Sequence, residues 1–294
     1  SQTTKSLDEF QEIVEYFKEY VDVFSVSAGL TCSIQYQYDA DYLPDGWKSY
    51  MSKALKEATG KPCLTSGNIR EPEVANRILE DGEADFIAIG RGLIADPEWV
   101  NKVQFGNTED INRCISCNNG CTATLGDEPI RCTINPSIVS GEYYKNYKLK
   151  KPCNVVVIGG GTAGLEAACT AAEVGCSTVL IEKTGQLGGL ARRVGKMPNK
   201  RRLGYFPEYL EHRASKLKNL FVIKNTEATI DLIEGCKPDI VVNATGSFPL
   251  LPDIKGLKEN LKAGNVSTIF DLVDNVESYE ENLEGKKVVV IGGG

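Results

Sequence analysis

Residues 153–183 read CNVVVIGGGTAGLEAACTAAEVGCSTVLIEK, and this stretch decides the fold of the second half of the chain. An apolar run enters a turn of three glycines, and an alanine-rich helical pattern and a second apolar run follow. Gly159, Gly161 and Gly164 have the G-x-G-x-x-G spacing, and Glu182 ends the second run. The glycines allow a tight turn, close approach of a pyrophosphate and packing of the helix on the strand, while the acid suits ribose hydroxyls. The stretch therefore predicts a Rossmann-like dinucleotide-binding unit.

Two further segments extend this prediction. Residues 243–247, NATGS, follow an apolar run and predict a second turn of close backbone approach, typical of FAD domains. Residues 286–294, KKVVVIGGG, repeat the strand and glycine turn, which indicates the start of a nested nicotinamide-binding subdomain. Because that motif is half present and the chain opens directly in a helical pattern, we expect a segment of a longer polypeptide.

The first part of the chain alternates helix and apolar strand patterns. Helices are predicted at residues 7–20, 48–60 and 71–82, and strands at residues 21–29, 62–68 and 85–92. Continuous apolar strands separated by helices indicate parallel βα units that are buried on both faces.

The last two of these strands end in small residues next to a polar one, TSGN and IGRG. In a (β/α) barrel, the loops after the last two strands form a phosphate site. Backbone N–H groups at Gly67 and Gly90, with the charge of Arg91, suit a phosphate dianion. The alternative is that the glycines are ordinary turns and Arg91 is a surface charge.

Three cysteines crowd residues 113–121, RCISCNNGC, and a fourth follows in RCTINP. The spacing C-x2-C-x3-C with a distant fourth cysteine suits the four thiolates of a 4Fe–4S cluster, whereas zinc ribbons prefer two separated C-x-x-C pairs. The candidate ligands are Cys114, Cys117, Cys121 and Cys132. Zinc, disulfides and idle thiols are the alternatives. The other cysteines are expected to be small buried hydrophobes: Cys32, Cys63, Cys153, Cys169, Cys176 and Cys236.

Composition narrows the function classes. The 294 residues carry a formal net charge of −7, which argues against a nucleic-acid partner. No apolar run approaches the roughly 20 residues that cross a bilayer, and the first residues lack a signal-peptide pattern. We therefore expect a cytoplasmic protein with reduced thiols. The one histidine, His212, excludes a multi-histidine metal site within the chain.

The order of these blocks resembles one protein family. Residues 66–102, 113–136 and 159–189 together resemble the 2,4-dienoyl-CoA reductase and trimethylamine dehydrogenase branch of the old yellow enzyme family. The resemblance implies an α/β fold in three segments. Residues 1–112 would be the C-terminal part of an FMN-binding TIM (β/α)8 barrel, residues 113–149 an iron–sulfur segment, and residues 150–294 a truncated FAD/NAD(P)-binding domain.

The resemblance also implies site residues. Those that match the FMN phosphate end are Gly67, Asn68, Gly90 and Arg91, and the four candidate cysteines match the cluster ligands. Those that match FAD contacts, beside the glycine turn, are Ala163, Glu182, Leu190, Lys200 and Ala228. Without the resemblance, Lys200 reads as a solvated loop charge.

The chain departs from the family at the expected proton donor. In the reductases a histidine follows the barrel strand that corresponds to residues 21–29, but here residues 29–38 read GLTCSIQYQY. Thr31 or Cys32 occupies that place, and a phenol from Tyr36 or Tyr38 is the candidate proton source. The alternative is that both tyrosines pack the loop, and the catalytic residue stays unassigned.

The function that the resemblance implies is NAD(P)H-dependent reduction of an activated C=C bond in an enoate, enoyl-CoA or enone. Electrons would pass from NAD(P)H to FAD, to the 4Fe–4S cluster, to FMN and then to this small-molecule substrate. One alternative is an amine dehydrogenase that resembles trimethylamine dehydrogenase. Another is a non-catalytic cofactor-binding fragment. A homo-oligomer is compatible with each reading.

Overall fold

A computed structural model describes residues 7–122, 128–140, 147–282 and 285–292. The chain divides into two compact units, residues 1–147 and 148–294, and each contains a parallel β-sheet flanked by helices. The α/β fold class predicted from the sequence is therefore confirmed. The three-segment division stays a prediction.

The first unit is built on a three-stranded sheet. Strands β1 (Phe24–Ser25), β2 (Cys63–Thr65) and β3 (Phe86–Ile87) lie side by side in that order, all parallel. The helices of this unit are α1 (Leu7–Glu15), α2 (Ile34–Gln37), α3 (Ser49–Thr59), α4 (Pro72–Glu80), α5 (Arg91–Ala95), α6 (Trp99–Gln104) and α7 (Ser137–Ser140). Helix α4 starts with a proline at its first position, where the missing N–H costs nothing.

Two predicted elements are shorter than expected. The helix predicted over residues 7–20 ends at Glu15, and a 3-10 turn covers Lys18–Tyr20. The strand predicted over residues 21–29 is confined to β1, although Val26 N–H still donates to Leu64 O at 2.9 Å. Gly29 then has φ +98°, a left-handed conformation that turns the chain away from the sheet. A hydrophobic pattern marks which residues are buried, but the neighbouring strand decides how many of them pair.

The second unit is built on a four-stranded parallel sheet in the order β6-β5-β4-β7. Its strands are β4 (Asn154–Ile158), β5 (Ser177–Ile181), β6 (Leu220–Ile223) and β7 (Ile240–Asn243). Its helices are α8 (Thr162–Glu173), α9 (Gly189–Val194), α10 (Tyr205–Ser215), α11 (Ile230–Gly235), α12 (Leu257–Lys262), α13 (Ile269–Asp274) and α14 (Val276–Asn282). Strand β4 thus stands at the centre, where the strand order reverses and where ligands bind in open α/β sheets.

Helices α8 and α10 cover one face of this sheet. Leu165 and Cys169 of α8 and Leu210 of α10 are fully buried together with Val157 of β4. At the rim of this contact, Arg213 donates to Glu173 at 2.6 Å and to Glu166 at 2.9–3.0 Å. The two helices are therefore joined by an apolar core and by an ionic clamp.

The segment after α14 differs from expectation. Residues 286–292 were expected to begin with a strand, but no strand is found within residues 285–292. Val289 and Val290 are 85% and 80% exposed. A strand needs a partner for its backbone groups, and in the described part of the chain none pairs with this segment.

Across the described residues, no helix has both the length and the apolar character of a membrane-spanning segment.

Candidate functional site

The glycine turn after β4 brings three segments into close approach. Gly159 has φ +101°, and a Cβ there would lie 2.4 Å from the Ala244 carbonyl oxygen that follows β7. A Cβ on Gly164 would lie 1.8 Å from the Gly159 carbonyl oxygen. Both positions therefore need glycine so that the turn, helix α8 and the end of β7 can pack together. The predicted close approach at residues 243–247 is seen here as the Ala244 contact.

Gly161 has a different role from the other two glycines. A Cβ added at Gly161 would have no atom within 4 Å, so its outer side is open. Gly161 forms a bridge with Gly188, and Gly188 N–H donates to Gly160 O at 2.8 Å. The open space beside the turn fits a pyrophosphate, which requires backbone without side chains at the N-terminus of a helix.

Glu182 lies at the end of β5, directly beside this turn. Its Oε2 accepts the Gly160 N–H at 2.6 Å, and its Oε1 accepts both the N–H and the hydroxyl of Thr184 at 2.8 Å. Burial acts to raise the pKa of Glu182, but these hydrogen bonds outweigh it and lower the pKa below the ordinary glutamate value. An ionised carboxylate therefore stands where ribose hydroxyls are expected.

The remaining predicted FAD residues lie on several elements of the second unit. Ala163 lies in the first turn of α8, and Leu190 follows the Gly188–Gly189 pair at the start of α9. A Cβ on Gly189 would lie 2.9 Å from Gly161 Cα, so the start of α9 abuts the glycine turn. Lys200 is exposed before a 3-10 turn, and Ala228 lies between β6 and α11. These four assignments remain predictions.

In the first unit, the loops after β2 and β3 line a cavity of about 230 Å³. All four residues predicted for a phosphate, Gly67, Asn68, Gly90 and Arg91, line it. Its volume is below the roughly 300–1,000 Å³ of whole ligand pockets, so it suits one end of a cofactor.

Arg91 donates hydrogen bonds to several residues in and around this cavity. Its Nη2 donates to Asn68 Oδ1 at 3.0 Å, and its Nη1 donates to the Asp39 carbonyl at 2.8 Å and to Asn118 Oδ1. The Asn68 side chain also donates to the carbonyls of Ala40 and Leu43. These bonds fix the guanidinium at the cavity wall and connect it to the cysteine-rich loop.

A buried ion pair lies beside Arg91, and sequence reasoning missed it. Lys48 Nζ lies 2.9 Å from Asp39 Oδ1, and both side chains are at most 5% exposed. Trp47 Nε1 also donates to Asp39 at 2.8 Å, and Asp39 Oδ2 lies 3.5 Å from Arg91 Nη2. Lys48 and Arg91 thus share one carboxylate, which leaves this wall with excess positive charge. That charge and the open side of Gly90 fit a phosphate group.

The two tyrosine candidates have different positions. Tyr38 is half-buried and lines the cavity, whereas Tyr36 is exposed with its ring 5.7 Å from the ring of Trp47. Cys32 is exposed. Of the two tyrosines, Tyr38 is therefore the one that lines the cavity, and the catalytic residue stays unassigned.

The four candidate ligand cysteines line a second cavity in the same unit. Two non-glycine residues between them, Ser116 and Asn118, have φ near +50°, which makes a tight loop. A Cβ on Gly120 would lie 2.7 Å from the Arg131 carbonyl, and Arg131 N–H donates to Gly120 O at 3.2 Å. Glycine at this position therefore lets the segment of Cys121 pass against the segment of Cys132.

The sulfur atoms have the surroundings of ligand thiols. Ser116 N–H donates to Cys114 Sγ at 3.4 Å, and N–H···S bonds of this kind tune iron–sulfur clusters. Burial raises the pKa of the Cys121 and Cys132 thiols, so metal binding would release their protons. Within the described ranges, no group of three or more His, Cys, Asp and Glu side chains is arranged to hold a metal ion. The four thiols and their spacing are the donor set of a cluster, but the side chains are not gathered around one metal position, and the cluster remains a proposal.

The two cavities of the first unit share part of their lining. Arg91, Cys114 and Ser116 line both, and Ser116 Oγ donates to Asn68 Oδ1 at 2.8 Å. Arg70, which is buried, donates to the Cys114 carbonyl at 2.6 Å. The wall of the first cavity and the cysteine loop are therefore joined by hydrogen bonds into one assembly.

Known proteins share both halves of this arrangement. Residues 2–110 match the NADH:flavin oxidoreductase / NADH oxidase family, and residues 154–205 match the FAD dependent oxidoreductase family. An NADH oxidase of Thermoanaerobacter brockii is 38% identical over 98% of this chain and 44% of its own length.

Two solved structures are also similar. A complex of 2-naphthoyl-CoA reductase with 2-naphthoyl-CoA has a TM-score of 0.83 and 27% identity, over 92% of this chain and 41% of that one. A histamine dehydrogenase from Rhizobium sp. 4-9 has a TM-score of 0.76 and 27% identity, over 84% and 36%.

The chain spans less than half the length of each of these relatives. The parallel sheets are those of the C-terminal part of a TIM barrel and of a Rossmann-like domain. The flavin-family match, the FAD-family match and the structural neighbours together confirm the predicted resemblance of this chain to the NADH:flavin oxidoreductase / NADH oxidase family, in its 2,4-dienoyl-CoA reductase and trimethylamine dehydrogenase-like branch.

Proposed function

We propose that this chain is part of an NAD(P)H-dependent flavin oxidoreductase that reduces an activated C=C bond of an enoate, enoyl-CoA or enone. The observation that carries the proposal is the shared wall of the two cavities in the first unit. A cation-rich cavity wall and a four-cysteine loop share Arg91 and Ser116. Similarity to a reductase of an acyl-CoA supports the substrate class.

Each proposed cofactor has residues to hold it. Arg91 and Lys48 would supply positive charge to the FMN phosphate, with the loops of Gly67 and Gly90 around it. The four cysteines that line the second cavity would hold a 4Fe–4S cluster. Flavins exchange one or two electrons, and a 4Fe–4S cluster exchanges one, so a cluster can carry electrons between two flavins. The proposed order of electron transfer is therefore NAD(P)H, FAD, cluster, FMN and substrate.

In the second unit, the chain would bind FAD through its backbone and one carboxylate. The open side of Gly161 would admit the pyrophosphate, and the ionised Glu182 would accept hydrogen bonds from ribose hydroxyls. The proton donor to the substrate stays unassigned, since the cavity that Tyr38 lines is the one proposed for the FMN phosphate rather than for the substrate.

The test is a composition and reduction analysis of anaerobically purified protein. We expect FMN, FAD, iron and acid-labile sulfide, and flavin bleaching on addition of NAD(P)H. Cys117→Ala should lose iron and sulfide but keep both flavins and leave FMN unreduced by NAD(P)H. Cys32→Ala, at an exposed cysteine outside the cavity, is the control and should behave as wild type. Zinc without sulfide would contradict the proposal.

The second candidate function is oxidation of an amine, which the similarity to a histamine dehydrogenase supports. In that case electrons would leave through a carrier protein and no nicotinamide would be used. The two candidates differ in one experiment. Flavin bleaching by an amine, together with none by NADH or NADPH, would favour the amine dehydrogenase over the reductase.

A further inference from the structure

Two cysteines of the second unit lie in direct contact, away from the glycine turn. Cys153 Sγ and Cys176 Sγ are 3.4 Å apart. Each residue immediately precedes a strand, and the residues that follow them, Asn154 and Ser177, are register partners in β4 and β5. Ser177 N–H also donates to the Cys153 carbonyl at 3.0 Å. The pair therefore extends the parallel ladder by one position.

We propose that Cys153 and Cys176 form a thiol–disulfide couple, a modification site for disulfide oxidants of the glutathione disulfide class. This site requires neither a flavin nor a cluster, so the proposal can be tested independently of the proposed function.

The backbone geometry supports a cross-link at this place. Neighbouring strands lie about 4.8 Å apart, and disulfides join residues whose Cα atoms are about 4.4–6.8 Å apart. Residues at paired positions of parallel strands point to the same face, and here both side chains face the apolar core of the unit. The sulfur atoms already lie 3.4 Å apart, and we expect side-chain rotation to close the remaining distance.

The two thiols differ in access, which sets the order of the reaction. Cys153 is half-buried, whereas Cys176 is 3% exposed. Burial raises the pKa of the Cys176 thiol, and the hydrogen bond with Cys153 raises it further. Cys153 is therefore the thiol that meets the oxidant first, and Cys176 is the one that resolves the intermediate.

The chemistry balances as two exchange steps. The Cys153 thiolate attacks glutathione disulfide, which forms a mixed disulfide and releases one glutathione thiolate. Cys176 then loses its proton and attacks Cys153 Sγ, which releases the second. In sum, two protein thiols lose two electrons and two protons, and one glutathione disulfide becomes two glutathione molecules.

The cross-link would close a loop that contains β4, the glycine turn and α8. Closing a loop of this length restricts the unfolded chain and stabilises the folded unit. The sulfur atoms lie at the start of β4, whereas the glycine turn follows its end at Ile158. We therefore expect a more stable unit with unchanged dinucleotide binding.

Peptide mapping of the oxidised protein tests the proposal. Anaerobically purified wild-type protein is treated with glutathione disulfide until the exposed Cys32 is glutathionylated, and is then alkylated. Cleavage after glutamate places Cys153, Cys169 and Cys176 in three peptides, residues 143–166, 167–173 and 174–182. We expect residues 143–166 linked to residues 174–182, released by reductant, and residues 167–173 unlinked. Recovery of residues 174–182 as a free alkylated peptide, or linked to residues 167–173, would overturn the proposal.

Two variants and a melting curve add a second readout. Oxidation should raise the melting temperature of wild type by about 5 °C or more and leave the FAD content unchanged. Cys153→Ser should abolish both the link and the rise. Cys236→Ser, at another half-buried cysteine of the same unit, should keep both. If Cys153→Ser does not fold, the wild-type peptide map alone decides the matter.

Discussion

At the scale of single residues, the three glycines of the turn have separable roles. Gly161→Ala should fold normally, because its added Cβ meets no atom within 4 Å, but it should lose FAD because the Cβ fills the space beside the helix N-terminus. Gly164→Ala should fail to fold the unit, since its Cβ would lie 1.8 Å from the Gly159 carbonyl oxygen. FAD content and melting temperature of the two variants measure this difference.

A matched control for both variants is Gly235→Ala, at the end of α11. A Cβ there also meets no atom within 4 Å, and Gly235 is distant in sequence from the turn. This variant should keep both FAD and stability. Full FAD retention in Gly161→Ala would contradict the assignment of the open space to a pyrophosphate.

Glu182 provides a prediction about pH. Its folded-state pKa is below the ordinary value of about 4.3, so ionised Glu182 stabilises the fold fully above pH 4.3. That contribution is lost as the pH falls through the lowered folded-state pKa. Glu182→Gln should therefore melt below wild type at pH 7, and the gap should close in acid. Thermal melts of the cofactor-free proteins between pH 2.5 and 7 measure the difference in melting temperature at each pH.

The control for Glu182 is Glu234→Gln, which alters an exposed glutamate of α11. This variant should melt with wild type at every pH. A gap for Glu182→Gln that stays constant from neutral to acid pH would show that its effect is steric rather than ionic. FAD affinity should fall about tenfold in Glu182→Gln at pH 7, because one charge-assisted acceptor is lost.

At the scale of elements, the clamp between α8 and α10 is the feature to test. Arg213 donates to Glu166 and Glu173, and these hydrogen bonds outweigh burial and raise its pKa. Arg213→Met leaves two neighbouring carboxylates without their shared cation, so it should destabilise the unit by about 2 kcal/mol. Denaturant unfolding of the second unit, followed by FAD release, measures the loss.

An exposed ion pair of the same helix is the comparison. Lys224 contacts Glu211 of α10 at 3.2 Å, and both side chains are 38% exposed. Lys224→Met should cost less than about 1 kcal/mol, because water screens such a pair. Equal losses in the two variants would refute the clamp.

Elements also show what the sequence could predict. The glycine turn, helix α8 and Glu182 were predicted because their chemistry is local, within about thirty consecutive residues. The first strand was predicted longer than the observed β1, and a strand was predicted within residues 286–292, where the structure has none. A hydrophobic run does not determine which strand will pair with it. Pairing depends on contacts that are distant along the chain.

The same reason explains the polar residues that were missed. Lys48 begins the segment predicted as a helix and was assigned no role from the sequence, yet it is buried against Asp39. Asn118 bonds to the Tyr38 carbonyl, eighty positions earlier. Likewise, no spacing rule links Cys153 with Cys176, whose contact arises from strand register. The local motifs therefore predicted which loops line the cavities, whereas the other lining residues are brought there by contacts distant along the chain.

At the scale of the whole molecule, Arg91 couples two proposed cofactor sites and leaves the third alone. Arg91→Lys keeps the charge but loses the fork that holds Asn68, Asn118 and Asp39. We expect lower FMN content and lower iron content in this variant, with FAD content unchanged. Flavin chromatography and iron analysis of the purified variant measure all three.

The control for Arg91 is Arg77→Lys, at an exposed arginine of α4 in the same unit. It should keep all three cofactors at wild-type level. Loss of FMN with full retention of iron in Arg91→Lys would show that the shared wall does not couple the two sites. Loss of FAD as well would indicate general unfolding.

The order of the strands of the second sheet along the chain has a consequence for folding during biosynthesis. Strands β4, β5 and β6 are consecutive neighbours, but β7 returns to pair with β4 from far along the chain, Val155 opposite Ile240. Closing so long a loop is slow, and the Ala244 wall of the glycine turn arrives only with that strand. A nascent chain therefore contains the complete glycine motif long before β7 completes the proposed dinucleotide site. In the proposed function, FAD can therefore bind only after β7 has paired with β4, and its binding does not nucleate this unit.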